Sequence, residues 1–240
     1  ENAIRWTSGN EDTIAEDTST LEDLQFSEAD VPYYPPGGDA TVPEEVGSGQ
    51  NWNLMQEPIS PERSAERIIT PEGFDAEPFV TEEDLPDDVE GNILDFDFDH
   101  RGRVYLAMSQ DYPNAVAEGR DSIVIAEDTD GDGRADEFTV FKDGLSIPNS
   151  IAVGYGGVYV ANTGHTQSEG AMLFVEDTNG DDQADETTVL FSGYSNGDTH
   201  AGPNELVIGV DNWIWGQVGY SGFSGTVGGT NHSFGSAIYR

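Results

Sequence analysis

Two stretches, Glu127–Glu137 (EDTDGDGRADE) and Glu176–Glu186 (EDTNGDDQADE), set carboxylates at alternate positions around glycines. In the first, Asp128, Asp130, Asp132 and Asp136 fall at positions 1, 3, 5 and 9 of a calcium loop, with the backbone carbonyl of Arg134 at position 7. Calcium is a hard cation that takes six to eight oxygens, and closely spaced carboxylates folded round one point supply them. Gly133 at position 6 permits the sharp turn. The bidentate glutamate of an EF-hand is missing, because Thr139 stands at position 12. The β-rich run Phe138–Phe141 follows where an EF-hand would continue into a helix. The loop is therefore EF-like chemistry carried on a turn between strands. The second copy offers Asp177, Asn179, Asp181 and Asp185 with the backbone of Gln183, but Asp182 stands in place of the glycine. An acidic turn that simply stays hydrated is the competing reading for both.

These loops need elements to carry them, and the elements repeat. Asp177 lies 49 residues after Asp128, and the text after each loop reads strand, Gly-containing turn, Asn, strand, short turn, aromatic-rich strand. Gly91–Gln110 matches the later half of the unit, and the anchoring Asn92, Asn149 and Asn204 are 57 and 55 residues apart. Apolar residues recur at period two in Ile93–Phe98, and Val104–Leu106, Ile123–Ile125 and Val158–Val160 are rich in β-branched and aromatic residues, as half-buried strands require. A period near fifty with several short strands per unit predicts an all-β fold, a β-propeller whose blades cannot bury their faces alone. Residues 58–240 supply about three blades of a larger ring of about six or seven. The remaining blades are expected from sequence beyond Arg240 or from another chain, since Ser236–Arg240 reads as the middle of a strand. A β-sandwich also has regular short strands but needs no repeat so close in wording. Residues 1–57 read as an acidic, largely irregular extension rich in Ser, Thr, Gly and Pro, and the only helix signal is a short one near Pro61–Arg67.

The formal net charge is −38, and Lys142 is the only lysine. Such a surface repels nucleic acid and anionic membranes. The calcium-ligand positions of the two loops account for seven of the carboxylates, so the rest are a general surface property, as expected for a protein living in high salt. A polycation partner is the alternative, which the even spread of acids along the chain disfavours. Cysteine is absent, which excludes disulfides, thiolate metal sites and CxxCH haem attachment in these residues. No stretch is apolar for long enough to span a bilayer. Weak calcium loops fill where calcium is plentiful, which points to an extracellular or periplasmic location.

Pro58–Glu77, Gly102–Asn114 (GRVYLAMSQDYPN), Gly119–Phe141 and Gly197–Asn204 (GDTHAGPN) followed by Trp213–Tyr220 resemble, in that order, the PVC-type membrane-bound dehydrogenases. That family has an N-terminal propeller similar to soluble quinoprotein glucose and sorbosone dehydrogenases. The resemblance covers about Pro58 to Arg240. It implies an exported protein that oxidises a sugar or sugar-derived alcohol with pyrroloquinoline quinone (PQQ) and passes electrons to a c-type cytochrome.

Such an oxidation needs a base for the hydroxyl proton, and histidine suits that work. Of His100, His165, His200 and His232, His200 stands out, because it lies in a loop entering a strand with Asp198 close enough to orient the ring. The corresponding loops before Asn92 and Asn149 lack histidine. His165, at a strand end, is the second choice, and His100 belongs to a hairpin turn. A cofactor cluster is expected from Tyr112, Asn114 and Arg120, the last gripping a quinone carboxylate, with Gln217 and Tyr220 on the same face. A surface salt bridge is the plainer reading of Arg120. Two other functions stay open: a non-catalytic, calcium-stabilised propeller that binds carbohydrate or a protein partner, and a polysaccharide lyase using a pair such as His200 and Tyr220.

Overall fold

The computed structural model describes residues 60–66, 68 and 70–240. The extension expected over residues 1–57 lies outside the described residues. By compactness the chain divides into Glu1–Pro78 and Phe79–Arg240. In the first unit the described residues hold one helix, α1 (Pro61–Ala65), where the sequence predicts it. The side chain of Ser60 caps it by accepting from the Arg63 amide at 3.3 Å, and Pro61 starts its first turn, where the missing N–H costs nothing. No helix among the described residues is long and apolar enough to cross a membrane.

The second unit is all-β, built of antiparallel sheets that do not close on themselves. The first sheet is the meander β1 (Asn92–Phe98), β2 (Val104–Ser109), β3 (Asp121–Glu127) and β4 (Glu137–Leu145). The second repeats it with β5 (Pro148–Gly154), β6 (Gly157–Asn162), β7 (Gly170–Glu176) and β8 (Glu186–Tyr194). A third contains β9 (Pro203–Ile208), β10 (Ile214–Val218) and β13 (Ala237–Tyr239). Between β10 and β13 the chain leaves this sheet as the hairpin β11 (Phe223–Val227) and β12 (Thr230–Phe234), which joins the edge of β8 through the pair Phe223–Tyr194. Nothing in the repeat announces that hairpin.

The expectation of half-buried strands is corrected in the sheet interiors. β2 is buried at all six positions. Its side chains alternate between two cores: Val104, Leu106 and Met108 pack with Phe79, Val80 and Leu85, while Tyr105 and Ala107 pack against Ile151, Val158 and Leu173 of the second sheet. The other face of the second sheet, with Ala152, Ala161 and Met172, meets Leu206 and Val218 of the third. Period two thus serves two cores at once, because sheets stack on both faces.

Alternation in β1 runs opposite to the usual sense. Phe96 and Phe98 are each 55% exposed, whereas Asp95 and Asp97 turn toward β5. The Asp95 carboxylate accepts from the Ser150 hydroxyl at 2.6 Å and the Ile151 amide at 2.9 Å, and Asp97 accepts from the Val153 amide at 2.7 Å. Ser150 in turn accepts from the Leu206 amide at 2.8 Å. The edge donors of β5 and β9 would otherwise lack partners, so carboxylate and hydroxyl link the first strands of successive sheets.

Candidate functional site

A meander puts its turns alternately at two ends of the sheet. The turns after β1, β3, β5 and β7 share one end, and those after β2, β4, β6 and β8 share the other. At this second end each first strand is irregular. Leu94 is unpaired between Ile93 and Asp95, Asn149 between Pro148 and Ser150, and the register of β9 slips between Asn204 and Val207. Bulges re-aim side chains at strand ends. Here Leu94, Asn149 and Glu205 all reach one cleft of about 310 Å³, shared with Asp95, Tyr112, Thr199, His200 and Asn204. Glu205 holds a left-handed backbone at φ 54°, a conformation that costs a non-glycine residue energy and tends to mark functional positions.

His200 sits in a single 3-10 turn, Thr199–Ala201, capped by Asp198. The Asp198 carboxylate accepts from the His200 amide and lies 3.1 Å from His200 Nδ1. A carboxylate there accepts, so in the neutral ring Nδ1 is the donor and Nε2 the basic nitrogen. The ring is 63% exposed and meets Tyr112 edge-on, with centroids 5.3 Å apart. The Tyr220 hydroxyl donates to the second oxygen of Asp198. That bond, followed by those from His200, holds the Asp198 carboxyl below its usual range and pushes the Tyr220 hydroxyl up. Ser221 fixes the same loop by donating to the Asp198 carbonyl at 2.8 Å. The arrangement is an oriented imidazole with a free basic nitrogen beside a polar cleft, suited to taking a proton from a hydroxyl.

The other expected cofactor residues do not join it. Arg120 donates to Asp111 at 2.7 Å and lines a separate depression with Asp88, Glu90 and Lys142. This is the salt-bridge reading. Asp111 and its neighbour Asp121 are buried, and Asp121 organises the loop after β2 by accepting from Ser109, Gln110, Asp111 and Ile147. Asn114 is exposed on that loop, and Gln217 is exposed in β10 opposite Asn204. His100 lies in the turn after β1, at the other end, and His165 stands after β6 outside the cleft. His232 faces an apolar groove under the β11–β12 hairpin. Glu205, which lines the cleft, escaped sequence reasoning. Aligned on the anchoring asparagines, it stands where the other units have Ile93 and Ser150, the same kind of departure that singled out His200.

Both acidic loops lie at the opposite end of the sheets. The Asp128 carboxylate accepts from the amides of Gly131, Asp132 and Gly133, and the Gly133 bond in particular holds it below its usual range. Asp177 repeats this pattern with Gly180, Asp181 and Asp182. Burial pushes the Asp177 carboxyl up, but the amide bonds outweigh it. Ligand oxygens of Asp128, Asp130 and Asp132 all lie within 4.8 Å of one another. Two oxygens bound to one calcium, each 2.3–2.6 Å from it, are at most about 5 Å apart, so the three aspartates fit the ion. Asp136 stands outside that group and closes the loop base by accepting from Thr129 at 2.9 Å, as Asp185 does from Thr178. Asp182 keeps the backbone of the glycine it replaces, φ 63° against 93° at Gly133. Its side chain reaches the first sheet, where Arg103 pairs with it at 2.9 Å through two nitrogens while also holding Asp99 at 2.8 Å.

A domain of unknown function, DUF7133, matches residues 60–240, and the chain belongs to that family. No curated protein and no solved structure matches the chain.

Proposed function

We propose that this chain forms part of a β-propeller whose cleft end binds a sugar or sugar-derived alcohol and activates its hydroxyl, the proton-abstracting half of a quinoprotein-type dehydrogenase. Support for the propeller comes from successive meanders stacked face to face, with β1, β5 and β9 linked side by side as first strands. The observation that carries the activity is the 3.1 Å contact of His200 Nδ1 with Asp198. His200 Nε2 takes the hydroxyl proton, Asp198 steadies the resulting imidazolium, and Tyr220 keeps Asp198 in place. Calcium held by Asp128, Asp130 and Asp132, and by the matching loop, would supply charge neutralisation at the far end. It takes no part in the chemistry. Export to a calcium-rich, saline medium accords with these loops and with the charge of −38.

PQQ carries carboxylates, and the described cleft does not fit them. Asp95 and Glu205 line it, no lysine or arginine does, and Arg120 is engaged by Asp111. No step is therefore derived through the quinone. The same observation favours a second reading, a calcium-braced propeller that binds carbohydrate without turning it over. A dye-linked dehydrogenase assay of the full chain separates the two, run in molar salt with calcium, with and without added PQQ, on neutral aldoses and polyols. Turnover that collapses in His200→Ala supports activation. Sugar binding with no turnover under any condition supports the second reading and overturns the first.

A further inference from the structure

The lining of the cleft carries two carboxylates, Asp95 and Glu205, and no lysine or arginine. Glu205 makes no ion pair or hydrogen bond among the described residues, and Asn204 Oδ1 is buried in the wall without a hydrogen-bond partner. His200 Nε2 adds a lone pair, and the Tyr112 ring adds a π face. The most evident donor, Asn149 Nδ2, is already given to the Thr199 carbonyl at 3.1 Å. Cations at the sheets are held elsewhere: Arg101 and Arg103 by Asp182, Arg120 by Asp111, Arg240 by Asp211. Glu205 is exposed and therefore solvated, but it is the carboxylate of the cleft that no described side chain engages, and a cationic group is the complement it can take.

We propose that the cleft selects an amino sugar, an ammonium-bearing polyol, over neutral and acidic sugars, and that Glu205 sets this preference. The proposal rests on the reading of the cleft as a sugar site. The ammonium group pairs with Glu205 beside the Tyr112 face, and a uronate meets the carboxylates of Glu205 and Asp95 with no cation to offset them. At contact distance the pair lies inside the roughly 3 Å Debye length of molar salt, so screening weakens the preference without erasing it.

The test is calorimetric binding of D-glucosamine, D-glucose and D-glucuronate to the full chain in molar salt. The expected order is glucosamine first, about fivefold tighter than glucose, with glucuronate weakest. Glu205→Gln should bring the glucosamine-to-glucose ratio to within about twofold of unity. Glu205→Arg should move glucuronate to the front, which keeps the proposal testable should the first variant fold poorly. Glucuronate binding wild type as tightly as glucosamine, an unchanged ratio in Glu205→Gln, or no binding of any of the three would each overturn it. Calorimetry reads this order without turnover. Failure of the activation reading appears separately, as undiminished turnover in His200→Ala.

Discussion

At one end of the sheets the two acidic loops are near copies, with the same amide bonds to Asp128 and Asp177 and the same threonine–aspartate closure. At the other end the units diverge: one loop carries Asp111, held by Asp121 at the start of β3, another carries Asp198 and His200, and each first strand bulges in its own way. The copied end joins neighbouring sheets. Ala184 donates to the Phe141 carbonyl of β4 at 2.7 Å, and Arg103 ties Asp99 to Asp182. Where two units do the same structural work, the repeat is kept, and where the proposed chemistry sits, the repeat is broken.

Changes that strike one end should therefore leave the other alone. The largest effect expected is on turnover, where His200→Ala should cost at least about a hundredfold while the melting temperature stays unchanged, because the ring is mostly exposed. Paired activity and thermal-melt measurements check both halves. Next comes stability: Arg103→Ala leaves Asp99 in a buried site without its partner and should cost about 3 kcal/mol in denaturant unfolding.

The same clamp has a pH signature. The hydrogen bond from Arg103 holds the Asp182 carboxyl below its usual range, and at Asp99 burial pushes up but the bonds from Arg103 and the Arg101 amide together outweigh it. Groups whose folded pKa is depressed stabilise above the unfolded value, about pH 4, and that stability is lost as pH falls through the folded value. Acid unfolding of wild type should show this limb, and Arg103→Met should flatten it. Chelating calcium should lower the melting temperature by a few degrees, about 2–4 °C per kcal/mol of lost binding, and Asp128→Asn should remove part of that shift. The smallest effect is expected from Tyr220→Phe, a loss of about threefold in turnover through a less firmly held Asp198. A larger loss would give Tyr220 a more direct part.

Much of the fold was legible because its signals are local. Period two, the 49-residue repeat and the glycine-bearing turns each report a backbone state within a few residues. That His200 sets its loop apart was legible for a related reason, since it breaks a pattern that the chain itself defines, and the fold places it at the cleft. Other features depend on what packs against them. The alternation of β1 marks a strand but cannot say that Asp95 and Asp97 face β5 while the phenylalanines stay exposed, because that depends on unpaired amides of a strand 55 residues away. Asp182 looked like damage to a calcium loop. Its role shows only once Arg103 is beside it, with aspartate tolerating the left-handed turn. For Arg120 the sequence leaves a cofactor carboxylate and a salt bridge both open, and only the fold shows the partner, Asp111, nine residues back in the same loop. The β11–β12 hairpin interrupts a sheet without interrupting any sequence period.

The most direct test of the division between ends is to measure turnover of neutral and amino sugars by His200→Ala and by the double variant Asp128→Asn/Asp177→Asn, side by side in molar salt at a temperature where both stay folded. The expected result is loss of turnover in the first and near wild-type turnover with lowered thermal stability in the second. Retained activity without His200, or activity lost with the loop aspartates while the fold persists, would contradict the account.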